Sequence, residues 1–530
     1  MQSLWAPRVE TTPAEEKLLR LLKKQKLWLF LRRQRHRLID DEVRERLAQM
    51  YSAEGQGKPV MPERLALALV LQVFTGLADH EVPVATATDR RWRMVLDLWD
   101  EELDEAAFSQ GTVFHFRERA RAHGLIEFLL EKTVRLARDT KGYSHKRLRM
   151  MIDSSPLVGA GRVEDTFNLI GRAVGQLVEL AAEQSGRRSA DLAAELELGV
   201  VSASSVKAGL DVDWRLPSAR KDALNLLIKQ FARLQLWLQS NFDSDALTTP
   251  PLSEGIAVVE RLIAQDTEPD PDDPSEGARR IRQGGKDRQI SLSDPDMRHG
   301  RKSSSKLFVG YKRHIAVDAD VPGLVTSVEV LAANISEYVA AEPLLQSAEA
   351  AGFEVTEVHH DRGYLAADGL HERRAKGMRL VSKPPTPPRT RQRLGKADFT
   401  VDMQAEKVTC PGGQTKTIHH GKSRSSASFG RAKCRTCPLM SNCLPEKGQK
   451  VITLHAHEEL FQQWAAELAT KEGRETRRAR VAVEHALGRI SSIQGNKARY
   501  RGIAKVQFHT TCSAVVANLH VLNGLWSEAA

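Results

Sequence analysis

The sequence has no long uninterrupted apolar segment. Its apolar runs are short, and none approaches the roughly 18 residues that a membrane-spanning helix needs. The amino-terminal stretch MQSLWAPRVETTPAEEKLLR also lacks the apolar centre of a secretory signal peptide. We therefore expect no membrane partner and a cytoplasmic protein, in which 41% hydrophobic residues are enough to form buried cores.

Cysteine is scarce as well. Five cysteines in 530 residues are too few for a disulfide framework. Four of them form a C-x2-C pair with one further cysteine on either side, at Cys410, Cys434, Cys437 and Cys443. Four thiolates suit one structural Zn²⁺, so we predict a small Cys-rich insertion at 401–450. The alternative is a set of unligated surface thiols, and Cys512, in an apolar helix, is expected in the core.

Acidic residues are outnumbered by basic ones. The chain has 78 Lys and Arg against 68 Asp and Glu, a formal net charge of +10. This excess favours a polyanion such as nucleic acid as a partner. Many enzymes that bind no polyanion are equally basic, so charge alone does not identify the partner.

Helical patterns fill the first part of the chain. Residues 14–50 place apolar side chains at helical spacing among Lys and Arg, and further helices are predicted at 90–99 and 105–121. Pro62 and Gly76 stand where proline begins a helix and glycine ends one. We predict an all-α N-terminal domain at 1–140, with room for a helix-turn-helix-like unit. Helices that only pack against each other are the alternative.

Strand patterns begin after this domain. A turn at Pro322-Gly323 separates two strand-like runs and predicts a hairpin. Strands with helices between and after them indicate an α/β core that carries large insertions. The predicted segments are a first core strand at 141–160, a helical insertion at 161–265, a flexible linker at 266–290, core strands at 291–400, the insertion at 401–450, and helices at 451–530.

Three carboxylates lie at the ends of strand-like runs. They are Asp153 after MMI, Asp318 after HIAV, and Asp361 after EVHH. The end of a strand is where an α/β sheet presents functional groups, although a turn or cap is the commoner role of one such aspartate. Asp318 lies in the predicted hairpin and is interpreted as structural. Asp153 and Asp361 are therefore the candidates for chemistry.

A fourth acidic residue stands out by its basic surroundings. Residues 471–505 contain ten Lys or Arg and three acids, of which Glu484 is predicted to lie mid-helix, with Arg480 and Arg477 on the same face. An intrahelical ion pair is the ordinary interpretation. Two strand-end aspartates and a helix glutamate, however, also suit two Mg²⁺ ions that bracket a phosphodiester. The nearby cations would then hold a DNA backbone.

Several motifs resemble the DDE transposases of bacterial insertion sequences, and the resemblance covers most of the chain. The region from MPERLALALVLQVFTGLADHEV to FSQGTVFHFRERA resembles their helical N-terminal domain. MIDSSPL and HHDRGY resemble the first and second aspartate motifs. SDPDMRHGRKSSSKLFVGYKRHIAVDAD resembles the segment leading into the following strands. RRARVAVEHALGRI resembles the glutamate helix.

The resemblance implies an RNase H-like mixed sheet flanked by helices, which would be the α/β catalytic core. It also implies a catalytic triad of Asp153, Asp361 and Glu484 that holds two Mg²⁺ or Mn²⁺ ions. The family signature of the glutamate helix is Tyr, two residues, Arg, three residues, Glu, six residues, Lys. Arg480 and Glu484 fit it, but Arg477 replaces the Tyr and Ser491 replaces the Lys.

The implied partners are double-stranded DNA, as inverted terminal repeats and as target, and a second subunit in a homodimeric DNA complex. The implied activity is nicking at the element ends followed by strand transfer, at the nucleoid. A catalytically inactive DNA-binding relative and an RNase H-like nuclease without strand transfer are the alternatives. The candidate DNA-binding residues are Arg298, Arg301, Lys302, Lys312, Arg477, Arg480, Arg489 and Arg501.

Overall fold

A computed structural model describes most of the protein. The described residues are 5–51, 61–99, 105–143, 146–203, 205–271, 273–281, 285–303, 305–385, 393–421, 424–444 and 448–528. Within these ranges, every helix is either too short or too polar to cross a membrane.

Helices are the commonest elements. In chain order they are α1 (Pro13–Leu21), α2 (Lys26–Leu38), α3 (Asp41–Gln49), α4 (Pro62–Thr75), α5 (Glu81–Thr88), α6 (Arg90–Leu96), α7 (Gln110–Ala122), α8 (Leu125–Thr140), α9 (Thr166–Gln184), α10 (Ser189–Glu195), α11 (Val206–Leu210), α12 (Pro217–Asn241), α13 (Ser244–Thr248), α14 (Leu252–Asp266), α15 (Ala341–Ala350), α16 (Asp368–Ala375), α17 (Arg431–Cys434), α18 (Met440–Cys443), α19 (Glu458–Ala469), α20 (Lys471–Arg478), α21 (Val481–Gln494) and α22 (Ile503–Glu528).

All of the described strands except the first lie in the second half of the chain. The strands are β1 (Arg147–Val158), β2 (Thr267–Asp270), β3 (Asp273–Arg280), β4 (Arg298–Arg301), β5 (Leu307–Asp318), β6 (Val325–Ala332), β7 (Glu354–His359), β8 (Arg379–Val381), β9 (Thr400–Asp402), β10 (Lys407–Thr409), β11 (Thr415–Thr417), β12 (His419–His420), β13 (Ser425–Phe429) and β14 (Lys450–Leu454).

One mixed sheet forms the centre of the protein. Its strands follow the order β4-β5-β1-β7-β8, and β6 pairs with β5. The pairs β1–β5, β5–β6 and β4–β5 are antiparallel, whereas β1–β7 and β7–β8 are parallel. The β5–β6 hairpin confirms the turn predicted at Pro322-Gly323, where Gly323 has a φ of +83°. The protein thus has the mixed α/β architecture that the strand patterns predicted.

The first strand differs from its prediction. Asp153 was expected at the end of a short strand, but β1 continues to Val158 through Pro156. Pairing with β5 extends from Met150 to Val158, so this long antiparallel partner maintains the strand through residues that have little strand preference of their own.

The N-terminal helices and the sheet share one hydrophobic core. In this core α22 packs against α8, α4 and β6. The buried Asn518 of α22 links these layers, because its amide donates to Thr133 Oγ1 at 2.9 Å and to the Val325 carbonyl at 2.8 Å. Buried Asp318 accepts a hydrogen bond from Arg138 of α8, which agrees with its structural interpretation.

Helices α9 to α14 enclose a hydrophobic core of their own, which includes Leu177, Leu227 and Val259. The segment at 266–290, predicted as a linker, includes the β2–β3 hairpin, in which Arg279 of β3 pairs with Glu268 of β2 at 2.8 Å. Its prolines and acids therefore accommodate an antiparallel pair as well as a loop.

The Cys-rich segment contains two small antiparallel sheets. Strands β9, β10 and β11 form one, and β12, β13 and β14 form the other. Phe399, Val408, Phe429 and Ile452 are buried between them and provide a separate small core. The segment is thus a compact unit between β8 and the last four helices.

The segment predicted as helices at 451–530 contains three successive helices, α19, α20 and α21, before α22. Thr470 ends the first and caps the second, where its hydroxyl accepts from the Gly473 N–H at 3.0 Å. A second break at Ala479–Arg480 separates α20 from α21. Glu484 therefore lies in the first turn of α21 rather than mid-helix, and Arg477 lies on a different helix.

Candidate active site

The register of two parallel strands brings Asp153 and Asp361 to one edge of the sheet. Met151 of β1 pairs with His359 of β7, the last residue of that strand. Each aspartate lies two residues beyond this pair. The two aspartates therefore stand at the same level of the sheet, Asp153 within β1 and Asp361 just past the end of β7. This arrangement provides the shared edge at which α/β sheets place functional groups.

Arg480 joins the two aspartates. Its Nη2 lies 3.1 Å from Asp153 Oδ2, and its Nη1 lies 3.3 Å from Asp361 Oδ1. The side chains of Asp153 and Arg480 are 20% and 16% exposed, and that of Asp361 is 51% exposed. A guanidinium fork that contacts both carboxylates holds them within one small polar site.

The surroundings shift the protonation of the first aspartate. Burial raises the pKa of Asp153, and the Arg480 charge only partly offsets this effect, while the charges of Asp361 and Glu337 raise it further. Burial likewise raises the pKa of Tyr364 well above its usual value, and Glu337 and Asp153 add to this shift. The site is therefore rich in negative charge for its single guanidinium.

A buried tyrosine and a neutral histidine lie behind the aspartates. The Tyr364 hydroxyl shares a 2.8 Å hydrogen bond with His314 Nδ1. Burial lowers the pKa of His314 to about 3, so its ring is neutral at pH 7. His360, which precedes Asp361 in the HHDRGY motif, is also buried, and its ring packs against Trp464 at a centroid distance of 5.8 Å. His360 thus has a packing role.

Glu484 is not brought into the aspartate pair. It is exposed in the first turn of α21, one turn after Arg480. Over the described part of the chain, no ion pair or hydrogen bond connects it to Asp153 or Asp361. The structure therefore joins two members of the predicted triad and places the third on the helix that Arg480 precedes.

The aspartate pair has the chemistry of a divalent-cation site. Hard cations such as Mg²⁺ prefer carboxylate oxygens, and here a guanidinium stands in the place of the cation between two of them. Nevertheless, among the residues that the structure describes, no group of three or more His, Cys, Asp or Glu is arranged to hold a metal ion. Asp153 and Asp361 fit such an ion, provided that Arg480 withdraws.

The four cysteines of the insertion line one cavity, together with Phe399, Phe429 and Leu439. A Cβ placed on Gly412 would lie 3.1 Å from Cys437 Sγ and 3.7 Å from Cys410 Sγ, so these two sulfurs flank the same residue. Burial raises the pKa values of Cys434 and Cys443, and the neighbouring thiols add to the effect. The C-x2-C pattern thus converges in space, although it does not form a ligand cage here.

The candidate DNA-binding residues divide into two groups. Arg298 is held by Asp287 at 2.9 Å, and Lys312 donates to the Ile335 carbonyl at 2.8 Å. Arg480 contacts the two aspartates. The remaining five are exposed: Arg301, Lys302, Arg477, Arg489 and Arg501.

Two residues near the site gave no signal in the sequence. Glu337 accepts a hydrogen bond from Ser154, and Arg313 donates from β5 to Ser491 Oγ at 2.7 Å and to Gln494 Oε1 at 2.9 Å. Both contacts join segments more than 170 positions apart, which no local pattern reports. Arg313 brings a cation to Ser491, the position at which the family signature has Lys.

Two family models match the chain. The family described as Transposase domain (DUF772) matches residues 17–119, and the family described as Transposase DDE domain matches residues 409–523. The first range covers the second half of α1, all of α2 to α6 and most of α7. The second covers all four clustered cysteines and Glu484, whereas Asp153 and Asp361 lie outside it.

These matches first suggest the class of protein, a nucleic-acid-processing enzyme of a transposase type. Together they indicate a DDE transposase of the insertion-sequence type, as the sequence motifs predicted. Such transposases act on DNA, and their DDE domains usually use divalent metal ions. Comparison with curated proteins and with solved structures gave no match.

Proposed function

We propose that this protein binds the ends of an insertion sequence and catalyses DNA cleavage and strand transfer, with Asp153, Asp361 and Glu484 as its catalytic acids. The observation that carries the proposal is the convergence of Asp153 and Asp361 on the Arg480 guanidinium. Two acids from distant segments that share one cation form a charged site at the edge of a sheet. The transposase family matches supply the class of reaction.

We further propose that the core is RNase H-like. Five strands of the sheet, taken in chain order, are β1, β5, β6, β7 and β8. Across the sheet they lie in the spatial order β6-β5-β1-β7-β8, so that the third is followed by the second, the first, the fourth and the fifth. The second runs antiparallel to both the first and the third, and the last two run parallel to the first. This order supports the proposal because it places the first and fourth strands, which lead to the two aspartates, side by side.

The reaction is two successive phosphoryl transfers. In the first, a water oxygen bonds to phosphorus at the element end, and the 3′ oxygen leaves and takes a proton. In the second, that 3′-hydroxyl oxygen bonds to a target phosphorus, its proton passes to solvent, and the 3′ oxygen of the target leaves. Bound divalent ions polarise the attacking oxygen and stabilise the leaving oxygen.

The side chains have separate roles in this proposal. Asp153 and Asp361 hold two Mg²⁺ or Mn²⁺ ions together with Glu484, which approaches as α21 adjusts on DNA. Arg480 exchanges its two carboxylates for a DNA phosphate, whose two non-bridging oxygens can accept a bidentate pair of hydrogen bonds from the planar guanidinium. Its departure exposes the aspartates at the time when DNA is present. Cleavage is thereby restricted to the DNA-bound protein.

The exposed cations are the proposed contacts to the DNA backbone. Arg301 ends the β4 strand and Lys302 follows it, and Arg477 lies on α20, close in sequence to Arg480. Arg489 and Arg501 flank the end of α21. Because none of them has a fixed acidic partner among the described residues, all five are free to neutralise phosphates.

Two element ends must be held together during transposition, so we propose a homodimer in the DNA complex, acting at the nucleoid. We also propose that Cys410, Cys434, Cys437 and Cys443 hold one structural Zn²⁺. Their convergence on one cavity supports this ligand set. Small movements of the short helices α17 and α18 would bring the four cysteines into position to bind the ion.

A strand-transfer assay tests the function. The full-length protein is incubated with a labelled element end, a supercoiled target and Mg²⁺ or Mn²⁺. Joined product supports the transposase. Cleavage without joining identifies a nuclease, and binding alone identifies an inactive relative.

Asparagine at Asp153 or Asp361, and glutamine at Glu484, should each lower the rate of joining by at least about a hundredfold, as expected when a group that stabilises charge in the transition state is removed. The matched control is Asp368→Asn, an exposed acid on α16 that lies outside the aspartate pair. Equal activity of Asp361→Asn and Asp368→Asn would overturn the site assignment.

A further inference from the structure

Glu337 occupies a position between the two aspartate motifs. It begins the 3-10 turn Glu337–Ala340, which follows β6 and precedes α15. Ser154, the residue after Asp153, donates a hydrogen bond from its hydroxyl to Glu337 Oε1 at 2.6 Å. The carboxylate of Glu337 is therefore attached to β1 directly beside the first aspartate.

The same carboxylate touches the second aspartate motif. A Cβ on Gly363, two residues after Asp361, would overlap the Glu337 carboxylate and would lie 3.1 Å from its Cδ. With glycine at this position the Glu337 carboxylate packs directly against the turn after Asp361. Lys312 Nζ holds the segment before Glu337 in place through the Ile335 carbonyl at 2.8 Å.

Glu337 is thus the middle of a link that runs from Ser154 to Gly363. The Arg480 bridge is a second and independent connection between the same two motifs. Only one of the two connections is lost when a cation binds, because Arg480 must leave the aspartates before a cation can bind between them. The Ser154–Glu337–Gly363 link contains no group that has to move.

We propose that Glu337 is a positioning residue, which keeps Asp153 and Asp361 at a fixed separation once Arg480 has withdrawn. This inference rests on the proposed function of the aspartate pair. In this role Glu337 acts through its hydrogen bond to Ser154 and its contact with Gly363 rather than through its charge. A glutamine, whose amide oxygen can still accept from Ser154, should therefore replace Glu337, whereas alanine should not.

Binding of Mn²⁺ alone to the DNA-free, full-length protein, followed by electron paramagnetic resonance, tests this role. Glu337→Ala is expected to weaken Mn²⁺ binding about tenfold, as the loss of groups that orient ligands typically does. Glu337→Gln should stay within about threefold of the unmodified protein. Ser154→Ala, which removes the same hydrogen bond with a smaller change, should fall between them.

Glu349→Gln on α15 is the matched control, because Glu349 pairs with Arg373 and takes no part in the link. Its Mn²⁺ affinity should not change. Thermal unfolding of each variant separates positioning from loss of fold, and Ser154→Ala and Glu337→Gln remain informative if Glu337→Ala does not fold.

Two results would overturn the proposal: unchanged Mn²⁺ affinity in both Glu337→Ala and Ser154→Ala, or an equal loss in Glu337→Gln and Glu337→Ala. The second would assign Glu337 to charge rather than position. Asp153→Asn and Asp361→Asn distinguish this failure from that of the proposed function. If they lose Mn²⁺ binding while Glu337→Ala does not, only the role of Glu337 is wrong.

Discussion

The Arg480 guanidinium lies between the carboxylates of Asp153 and Asp361, with contacts of 3.1 Å and 3.3 Å. It carries one of the two charges that the proposed divalent cation would bring to the same carboxylates. Mutual repulsion between two carboxylates is thereby relieved in the ion-free protein. The same contact sets a competition between Arg480 and metal ions for the aspartates.

Arg480→Gln should therefore bind Mn²⁺ more tightly, by about tenfold, because a positive charge within 4 Å of both ligands has been removed. Strand transfer at saturating Mn²⁺ should fall nonetheless, since Arg480 is also the proposed phosphate ligand. Manganese titration and the joining assay measure the two effects separately. Arg478→Gln, an exposed arginine on α20, is the control. Weaker Mn²⁺ binding in Arg480→Gln would show that the guanidinium organises the site instead of competing for it.

Local sequence patterns predicted the elements that local chemistry determines. Pro62 and Gly76 gave the limits of α4, and Pro322-Gly323 gave the β5–β6 turn. Alternation in EVTEVH gave β7, which ends two residues before Asp361. These features depend on proline, on glycine and on the alternation of apolar and polar side chains, all of which can be recognised within a few residues.

Features that depend on distant partners could not be predicted in this way. The extension of β1 past Asp153 requires β5, which lies about 160 positions later. The break before α21 coincides with the turn of Arg480 towards two aspartates on other strands. Glu337 lies in an ordinary strand-to-helix connection, and only the folded chain shows that it touches both aspartate motifs.

A pH-dependent contribution to stability is expected from Glu357 on β7. Burial alone would raise its pKa, but the hydrogen bond from His359 and the charges of His359 and Arg149 lower it to about 2. A carboxyl with a depressed pKa stabilises the fold above its unfolded value of 4.5, and this contribution is lost as the pH falls towards 2. The partner Arg149 is 45% exposed, so we expect about 2 kcal/mol rather than the full value of the shift.

Urea unfolding of Glu357→Gln checks this prediction. The difference in the free energy of unfolding from the unmodified protein should be present at pH 5 and should shrink steadily below about pH 4.5. Glu354→Gln, at the exposed start of the same strand, is the control and should show little difference at any of these pH values. A difference that is independent of pH would contradict the role of the Glu357 charge.

Removal of metal tests the cysteine cavity. If the four thiolates hold Zn²⁺, the purified protein should contain about one zinc per chain, and a chelator should release it and loosen the small core around Phe429 and Ile452. Elemental analysis and limited proteolysis between residues 393 and 454 measure these effects. Cys437→Ser should lose the zinc, whereas Cys512→Ser, on buried α22, should retain it. Absence of zinc in protein purified without chelators would favour free thiols.

The strand β5 is coupled to α21 through Arg313, which is 1% exposed. Its guanidinium donates to Ser491 Oγ, to Gln494 Oε1 and to the Gly495 carbonyl at 2.7, 2.9 and 3.1 Å, all neutral acceptors at the end of α21. Burial lowers the pKa of Arg313 to about 10, so it remains charged at pH 7. The cost of burying this cation is offset by these hydrogen bonds.

Arg313→Met should destabilise the protein by about 2 kcal/mol, because it leaves buried acceptors at the end of α21 without a donor. Arg489→Met, on the exposed face of the same helix, should change stability by less than about 0.5 kcal/mol. Urea unfolding at pH 7 compares the two. Since α21 also carries Glu484 and follows Arg480, Arg313→Met should lower strand transfer even at temperatures where it is fully folded. Full activity of folded Arg313→Met would mean that the α21 end does not need to be fixed on β5 for catalysis.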